Sequence, residues 1–235
     1  ELGIEIFYIT GRPPRWMVEI REAFGFGNAI CANGAILYDL MNDKVLEEWL
    51  MPVDIQIQII DKLRNTLQGI NFAIEYEDEF HREKNYTTRW DIGLDNIGVD
   101  LIEEKMVKPA FKMLGRCGNN EFTSDQMLEI AARELKGIAN ITHSNSSESL
   151  IEISAFGVSK GETLAKMAER AGLTSADCVS FGDNPNDFSM LQWADRSWAM
   201  SDGHPDGPKY AKFVAQAHQH DGVAIVIEEL LELPA

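Results

Sequence analysis

The sequence predicts an α/β protein: a doubly wound, mostly parallel core into which a smaller α/β domain is inserted. Short apolar runs end in Gly, Asn or Asp turns and lead into stretches with helical spacing, which is the pattern of βα units. That alternation changes character between about 53 and 149 and then resumes. With 235 residues, 45% hydrophobic and 25% charged, the chain has material for one full core and a smaller companion. The expected division is core over 1–52, insert over 53–149, and core again over 150–235, with no internal repeat or low-complexity linker.

The first strand-like run covers 4–9 and ends at Thr10-Gly11-Arg12-Pro13-Pro14. Trp16, Ile20 and Phe24 then recur every four residues beside Met17, and Gly25 marks the stop. Thr10 is thus expected at the C-terminal end of a strand, where open α/β sheets bind ligands. Its hydroxyl and the turn's backbone N–H groups could hold a phosphoryl oxygen. Equally, Thr10 could simply open a loop and Arg12 be a solvated charge. A second strand is expected over 28–32, closing in Asn33-Gly34, and strands over 35–38 and 45–50 flank a hairpin at Asn42. Asn33 is a turn residue by type, and by position it shares the strand-end rim with Thr10.

The insert reads as a helix over 53–67, a strand over 71–76, a polar and aromatic stretch over 77–91, a strand over 107–113, a helix over 123–135 and a strand over 138–142. Within it Arg82, Lys84 and Arg89 are basic groups able to read an anionic ligand, or simply members of an exposed loop over 81–90. The core is expected to resume with the strand Leu150-Ile151-Glu152-Ile153. Ser159 and Glu162 have capping-box spacing, which puts Lys160 at the first helical position ahead of the stripe Leu164, Met167, Ala168 and Ala171. A cation is disfavoured at the positive end of a helix, so Lys160 gains meaning if an anion stands opposite; otherwise it is an exposed lysine.

The densest chemistry lies in Gly182-Asp183-Asn184-Pro185-Asn186-Asp187, after a strand-like run over 178–181 and before helical spacing over 188–194. Two carboxylates and two amides at a strand's C-terminal end suit Mg²⁺, which takes one or two protein carboxylates and leaves other positions to water and phosphate. The rival is a capped helix start, with Asn184 as N-cap and Pro185 at the first position. An EF-hand fits worse, because Phe188 stands where that loop needs Gly and no bidentate Glu follows.

Charge and cysteine content narrow the field. A net charge of −17 argues against a nucleic-acid partner, which needs clustered Lys and Arg. No apolar run approaches a bilayer span and no signal-like N-terminus is present, so no membrane association is expected. The three cysteines, Cys31, Cys117 and Cys178, form no C-x-x-C pair and suit reduced thiols in a cytoplasmic protein.

Taken in order, Ile9-Thr10-Gly11-Arg12, Asn33-Gly34-Ala35, Ser159-Lys160-Gly161 and Gly182 through Asp187 resemble the haloacid dehalogenase-like hydrolases of the Cof type. Trp198-Ala199-Met200, Ala211-Lys212-Phe213-Val214 and Asp221-Gly222-Val223-Ala224 are similar to that family's closing segments. The resemblance implies a Rossmann-like core, an inserted cap, Mg²⁺ as cofactor and a small phosphorylated metabolite as substrate, such as a sugar phosphate or a phosphorylated cofactor. It implies that Thr10 binds the transferring phosphoryl group and that Lys160 steadies the nucleophile and the phosphoryl charge. Asp183 and Asp187 become the metal set, and Gly11, Arg12, Asn33 and Asn186 join Thr10 in the phosphate set. The physics agrees, since phosphoryl transfer is mostly positioning and charge neutralisation.

One expected feature is missing from these residues. The family's opening Asp-x-Asp, which supplies the nucleophile of an aspartyl-phosphate mechanism, has no match; Asp39 and Asp43 belong to the hairpin. The expectation is therefore that the native protein begins upstream of Glu1. A phosphosugar mutase on the same scaffold is an alternative, as is a catalytically silent binding or regulatory protein if the chain is complete. A smaller departure is Ser201-Asp202-Gly203, where the family often has Gly-Asn-Ala.

Overall fold

Residues 3–88, 96–118 and 121–231 are described by a computed structural model, which divides into two units, Glu1–Val158 and Ser159–Ala235. In the first unit, β1 (Phe7–Ile9) passes through a 3₁₀ turn and α1 (Val18–Phe24) to β2 (Asn28–Cys31), which lies parallel to it. Helix α1 stops at Gly25, whose φ of 67° is the left-handed value that glycine adopts freely. Then β3 (Ile36–Asp39) and β4 (Lys44–Glu48) add antiparallel, around the hairpin expected at Asn42. The buried side of this sheet gathers Met17, Ala29, Cys31, Ile36, Leu40 and Phe111.

The next elements are α2 (Val53–Thr66), β5 (Ile70–Glu75), β6 (Phe80–Arg82), β7 (Lys112–Cys117), α3 (Ser124–Glu134), β8 (Ala139–Thr142) and β9 (Leu150–Ala155). They make an antiparallel five-stranded sheet in the order β6-β5-β7-β9-β8. Ile59, Ile60 and Leu63 of α2 and Met127 and Ala131 of α3 bury against Phe72, Ile74, Met113, Ile151 and Ile153. Because side chains alternate along a strand, Lys112, Leu114, Leu150 and Glu152 occupy the opposite face.

Two expectations are corrected here. The strand at 150–153, read as the place where the core resumes, pairs with β7 and β8 and completes the inserted sheet. An apolar run fits any buried strand, and its sequence does not say which neighbour it takes. The strand expected over 107–113 forms later, because Ala110 is used in an antiparallel bridge to Met51.

In the second unit, α4 (Lys160–Arg170) precedes β10 (Val179–Gly182), α5 (Phe188–Trp193), β11 (Arg196–Met200), α6 (Gly207–Tyr210), β12 (Phe213–Ala215) and α7 (Gly222–Leu231). The three strands are parallel, in the order β10-β11-β12. Phe181, Trp198 and Phe213 stack across them at 5.5 and 5.0 Å between ring centroids, and Val226 of α7 packs on Met200 and Ala215.

The α/β class therefore holds, but the doubly wound, mostly parallel, Rossmann-like core is present only in pieces. Parallel neighbours need a long crossover, and among the described strands those that pair in parallel, β1 with β2 and β10 through β12, are consecutive strands joined through a helix. The short links from β2 to β3 and from β3 to β4 leave only antiparallel pairing. All three cysteines are free, Cys31 and Cys117 buried and Cys178 partly so. Among the described residues no helix is long and apolar enough to cross a membrane.

Candidate active-site residues

In the second unit, β10 ends at Gly182 because the chain behind it leaves no room for a side chain. A Cβ on Gly182 would sit 2.4 Å from the Cβ of Asp187. That proximity lets one oxygen of Asp187 accept the N–H groups of Asp183 (3.0 Å) and Asn184 (3.1 Å). Its other oxygen accepts from Lys160 Nζ at 2.6 Å, and both side chains of this pair are only 6% exposed. Lys160 does occupy the first position of α4, where the helix dipole opposes a cation, and Asp187 is the anion that offsets it. The Ser159 hydroxyl accepts the Glu162 N–H (3.1 Å), which is the N-cap half of the capping box expected there.

Asp183 differs from Asp187 in its surroundings. It is half-buried and takes a hydrogen bond from the Asn184 side chain. Burial first, and then the charge of Asp187, push its carboxyl above the ordinary value, with His218 and Lys160 opposing them. A carboxylate held in that setting is stabilised by a nearby cation. Half-buried carboxylate oxygen is the donor type that Mg²⁺ prefers, so the residues present fit this ion. Asn186 is buried in the 3₁₀ turn Pro185–Asp187.

Sequence reasoning overlooked how the 201–204 segment is seated. Asp183 O accepts the N–H of His204 at 2.7 Å, and a Cβ on Gly203 would lie 2.5 Å from that same oxygen. A side chain at this position would not fit the backbone as it runs here, which accounts for glycine at 203.

In the first unit, Thr10, Gly11, Arg12 and Asn33 meet on one rim. The Asn33 N–H donates to Thr10 O (3.0 Å) and the Ala32 N–H to Arg12 O (2.9 Å), so the turns after β1 and β2 are tied together. Ala32 and Asn33 both have positive φ, 51° and 59°, a conformation that for Ala stores on the order of 1 kcal/mol or more. The Arg12 N–H donates to Thr10 Oγ1 at 3.1 Å, which leaves the hydroxyl its own proton to donate. The turn's N–H at Arg12 is thus committed to Thr10. The Arg12 guanidinium is half-exposed, 3.7 Å from Glu19.

A group of buried charges beneath this rim had no place in the sequence reading. Lys112 Nζ donates to Gly11 O at 2.8 Å and lies 3.2 Å from both Glu75 and Glu152. Glu152 accepts from Asn33 Nδ2 (2.7 Å) and Ser144 Oγ (2.6 Å), and Arg15 pairs with Glu75 at 2.6 Å. Burial opposes the charge on Lys112, but Glu75 and Glu152 outweigh it and raise its pKa. Burial would raise the Glu152 carboxyl, yet Lys112, Ser144 and Asn33 hold it below the ordinary value. The available signal was a charged residue at an alternate position inside an apolar strand, as in Leu150-Ile151-Glu152-Ile153.

The basic groups expected to read an anion are otherwise occupied. Arg82 donates to the carbonyls of Glu83, Lys84, Tyr86 and Asn96, and Lys84 pairs with Asp100 at 2.8 Å. Arg89 and Trp90 lie outside the described residues.

The chain matches the haloacid dehalogenase-like hydrolase family over residues 1–227. It is 25% identical to the Bacillus subtilis 5-amino-6-(5-phospho-D-ribitylamino)uracil phosphatase YcsE, covering 96% of this chain and 81% of that one. It is 27% identical to the Escherichia coli pyridoxal phosphate phosphatase YbhA, over 95% of this chain and 85% of the relative. Its fold is similar to that of the subclass IIB sugar phosphatase BT4131, with a TM-score of 0.76 at 20% identity, covering 97% and 86% of the two chains.

Proposed function

Because the chain belongs to the haloacid dehalogenase-like hydrolases, of the Cof type with an inserted cap, we propose that it is a Mg²⁺-dependent phosphatase of small phosphorylated metabolites. The observation that carries this reading is the division of labour between two carboxylates. Asp187 is saturated by Lys160 and two loop N–H groups, while Asp183 stays half-buried with its charge disfavoured. Asp183 would hold Mg²⁺, with Asp187 fixing the loop that presents it. Bound there, the ion would supply neutralising charge to the phosphoryl oxygens.

The chain's own groups do the remaining work. Thr10, its oxygen already accepting from Arg12, donates its proton to a phosphoryl oxygen. Lys160 supplies fixed positive charge from a buried position, where such charge is worth more than in water. In the first unit Asn33 and Gly11 would join Thr10 as phosphate contacts, with the exposed Arg12 attracting the anion at longer range, and in the second unit Asn186 is the residue proposed for that role. The aspartyl-phosphate route of the family needs a carboxylate nucleophile, a role that none of these residues takes. The substrates named for the relatives YcsE, YbhA and BT4131 support a phosphorylated cofactor, precursor or sugar as the substrate class.

The test is phosphate release by the full-length protein from phosphorylated sugars, nucleotides and pyridoxal phosphate, with and without Mg²⁺. Hydrolysis of at least one, abolished by chelation and by Asp183→Ala, is expected. Return of phosphate to the sugar would indicate a mutase instead, and no turnover of any ester would refute the enzyme reading.

A further inference from the structure

Beneath the rim, a buried cluster links the inserted sheet to the turns at Gly11 and Asn33. We propose that Glu152 and Lys112 are positioning residues of the phosphoryl site: Glu152 orients the Asn33 side chain, and Lys112 fixes the Gly11 carbonyl and with it the Thr10 turn. The inference rests on the phosphatase reading for what the rim binds, but not for how the rim is held.

Three observations carry it. Two of the cluster's hydrogen bonds end on the two turns that form the rim, at Gly11 O (2.8 Å) and Asn33 Nδ2 (2.7 Å). One of those turns has consecutive positive φ values at Ala32 and Asn33, so something outside it must hold it in place. Finally, buried ion clusters add little net stability compared with apolar residues of similar volume. Lys112, Glu75 and Glu152, each under 6% exposed, are therefore poorly explained as a stabilising device. Ser144, donating to the second oxygen of Glu152 at 2.6 Å, fixes the carboxylate's orientation from the sheet side.

The consequence is that the rim takes its binding geometry only when the inserted sheet is seated on it. A displacement of about 1 Å at such a group is enough to cost on the order of 10²-fold in rate. Glu152→Gln keeps the shape and an acceptor but removes one of the two carboxylate charges that hold Lys112. It is expected to shift the amide resonances of Gly11 and Asn33 in ¹⁵N-labelled full-length protein. It should also lower kcat by about 10- to 100-fold with a smaller change in KM.

A double-mutant cycle with Asn33→Ala should be non-additive in kcat, since Glu152 acts through Asn33, whereas a merely structural role would show that coupling in stability and leave the kcat effects additive. Unmoved Gly11 and Asn33 resonances, or additive kcat effects, would overturn the proposal. If Glu152→Gln fails to fold, Ser144→Ala is the milder variant and should shift the same resonances less. Absence of hydrolysis by the unmutated protein would refute the phosphatase reading alone, and the resonances would still decide whether Glu152 sets the rim.

Discussion

The Asp183 loop and the Thr10 rim are both strand-end turns, yet they are held in opposite ways. Asp187 takes its loop hydrogen bonds from N–H groups three and four residues before it, and its cation lies 27 residues upstream. The rim is held across 101 residues at Gly11 and 119 at Asn33, from strands of the inserted sheet. A loop of the first kind is shaped by its own backbone. A rim of the second kind depends on tertiary structure, so movements of the insert reach it directly.

The largest effect on this contrast is expected at Lys160. Lys160→Met leaves Asp187 buried without its cation and should destabilise the second unit by about 3–5 kcal/mol, measured by denaturant unfolding. A loss near zero would mean that the loop amides alone hold Asp187. Next is Thr10→Val, which removes the donor but keeps the volume. It should lower kcat by on the order of 10²-fold, with Thr10→Ser close to wild type.

Gly182→Ala forces a methyl against Asp187 and should cost about 1–3 kcal/mol of stability, read by thermal unfolding. Tolerance of that methyl would contradict the tight packing of the loop.

The pH dependence separates the two regions more gently. Glu152 has a folded-state pKa below its ordinary value, so its contribution is present above the unfolded pKa and is lost as pH falls through the lowered value. Melting temperature should therefore drop in the acid range more steeply for the wild type than for Glu152→Gln. Equal slopes would remove Glu152 from the account. The smallest effect is expected for Lys84→Ala, because that lysine and its partner Asp100 are largely exposed. Unchanged stability and KM would fit its exposed setting, and a raised KM would restore it as a substrate contact.

This contrast also explains what was legible in the sequence. Loop 182–187, the capped start of α4 and the strand-end positions of Thr10 and Asn33 depend on neighbours a few residues away, and local chemistry revealed them. Lys112 and Glu152 acquire meaning only when β7 and β9 pair, and nothing within either strand names the other. Strand orientation was hidden for the same reason, since an apolar run reads alike in parallel and antiparallel sheets. Gly203 likewise acquires its meaning only from its close approach to the Asp183 backbone, which nothing in its own segment announces.

The central claim is that Asp183 holds the metal ion of a phosphatase. Titrating Mg²⁺ into wild type and Asp183→Ala, with thermal unfolding as the readout, tests it most directly. Saturating Mg²⁺, at about 100 times its Kd, should stabilise the wild type by about 2.7 kcal/mol and leave Asp183→Ala unchanged. Equal stabilisation of both proteins would contradict the assignment of Asp183.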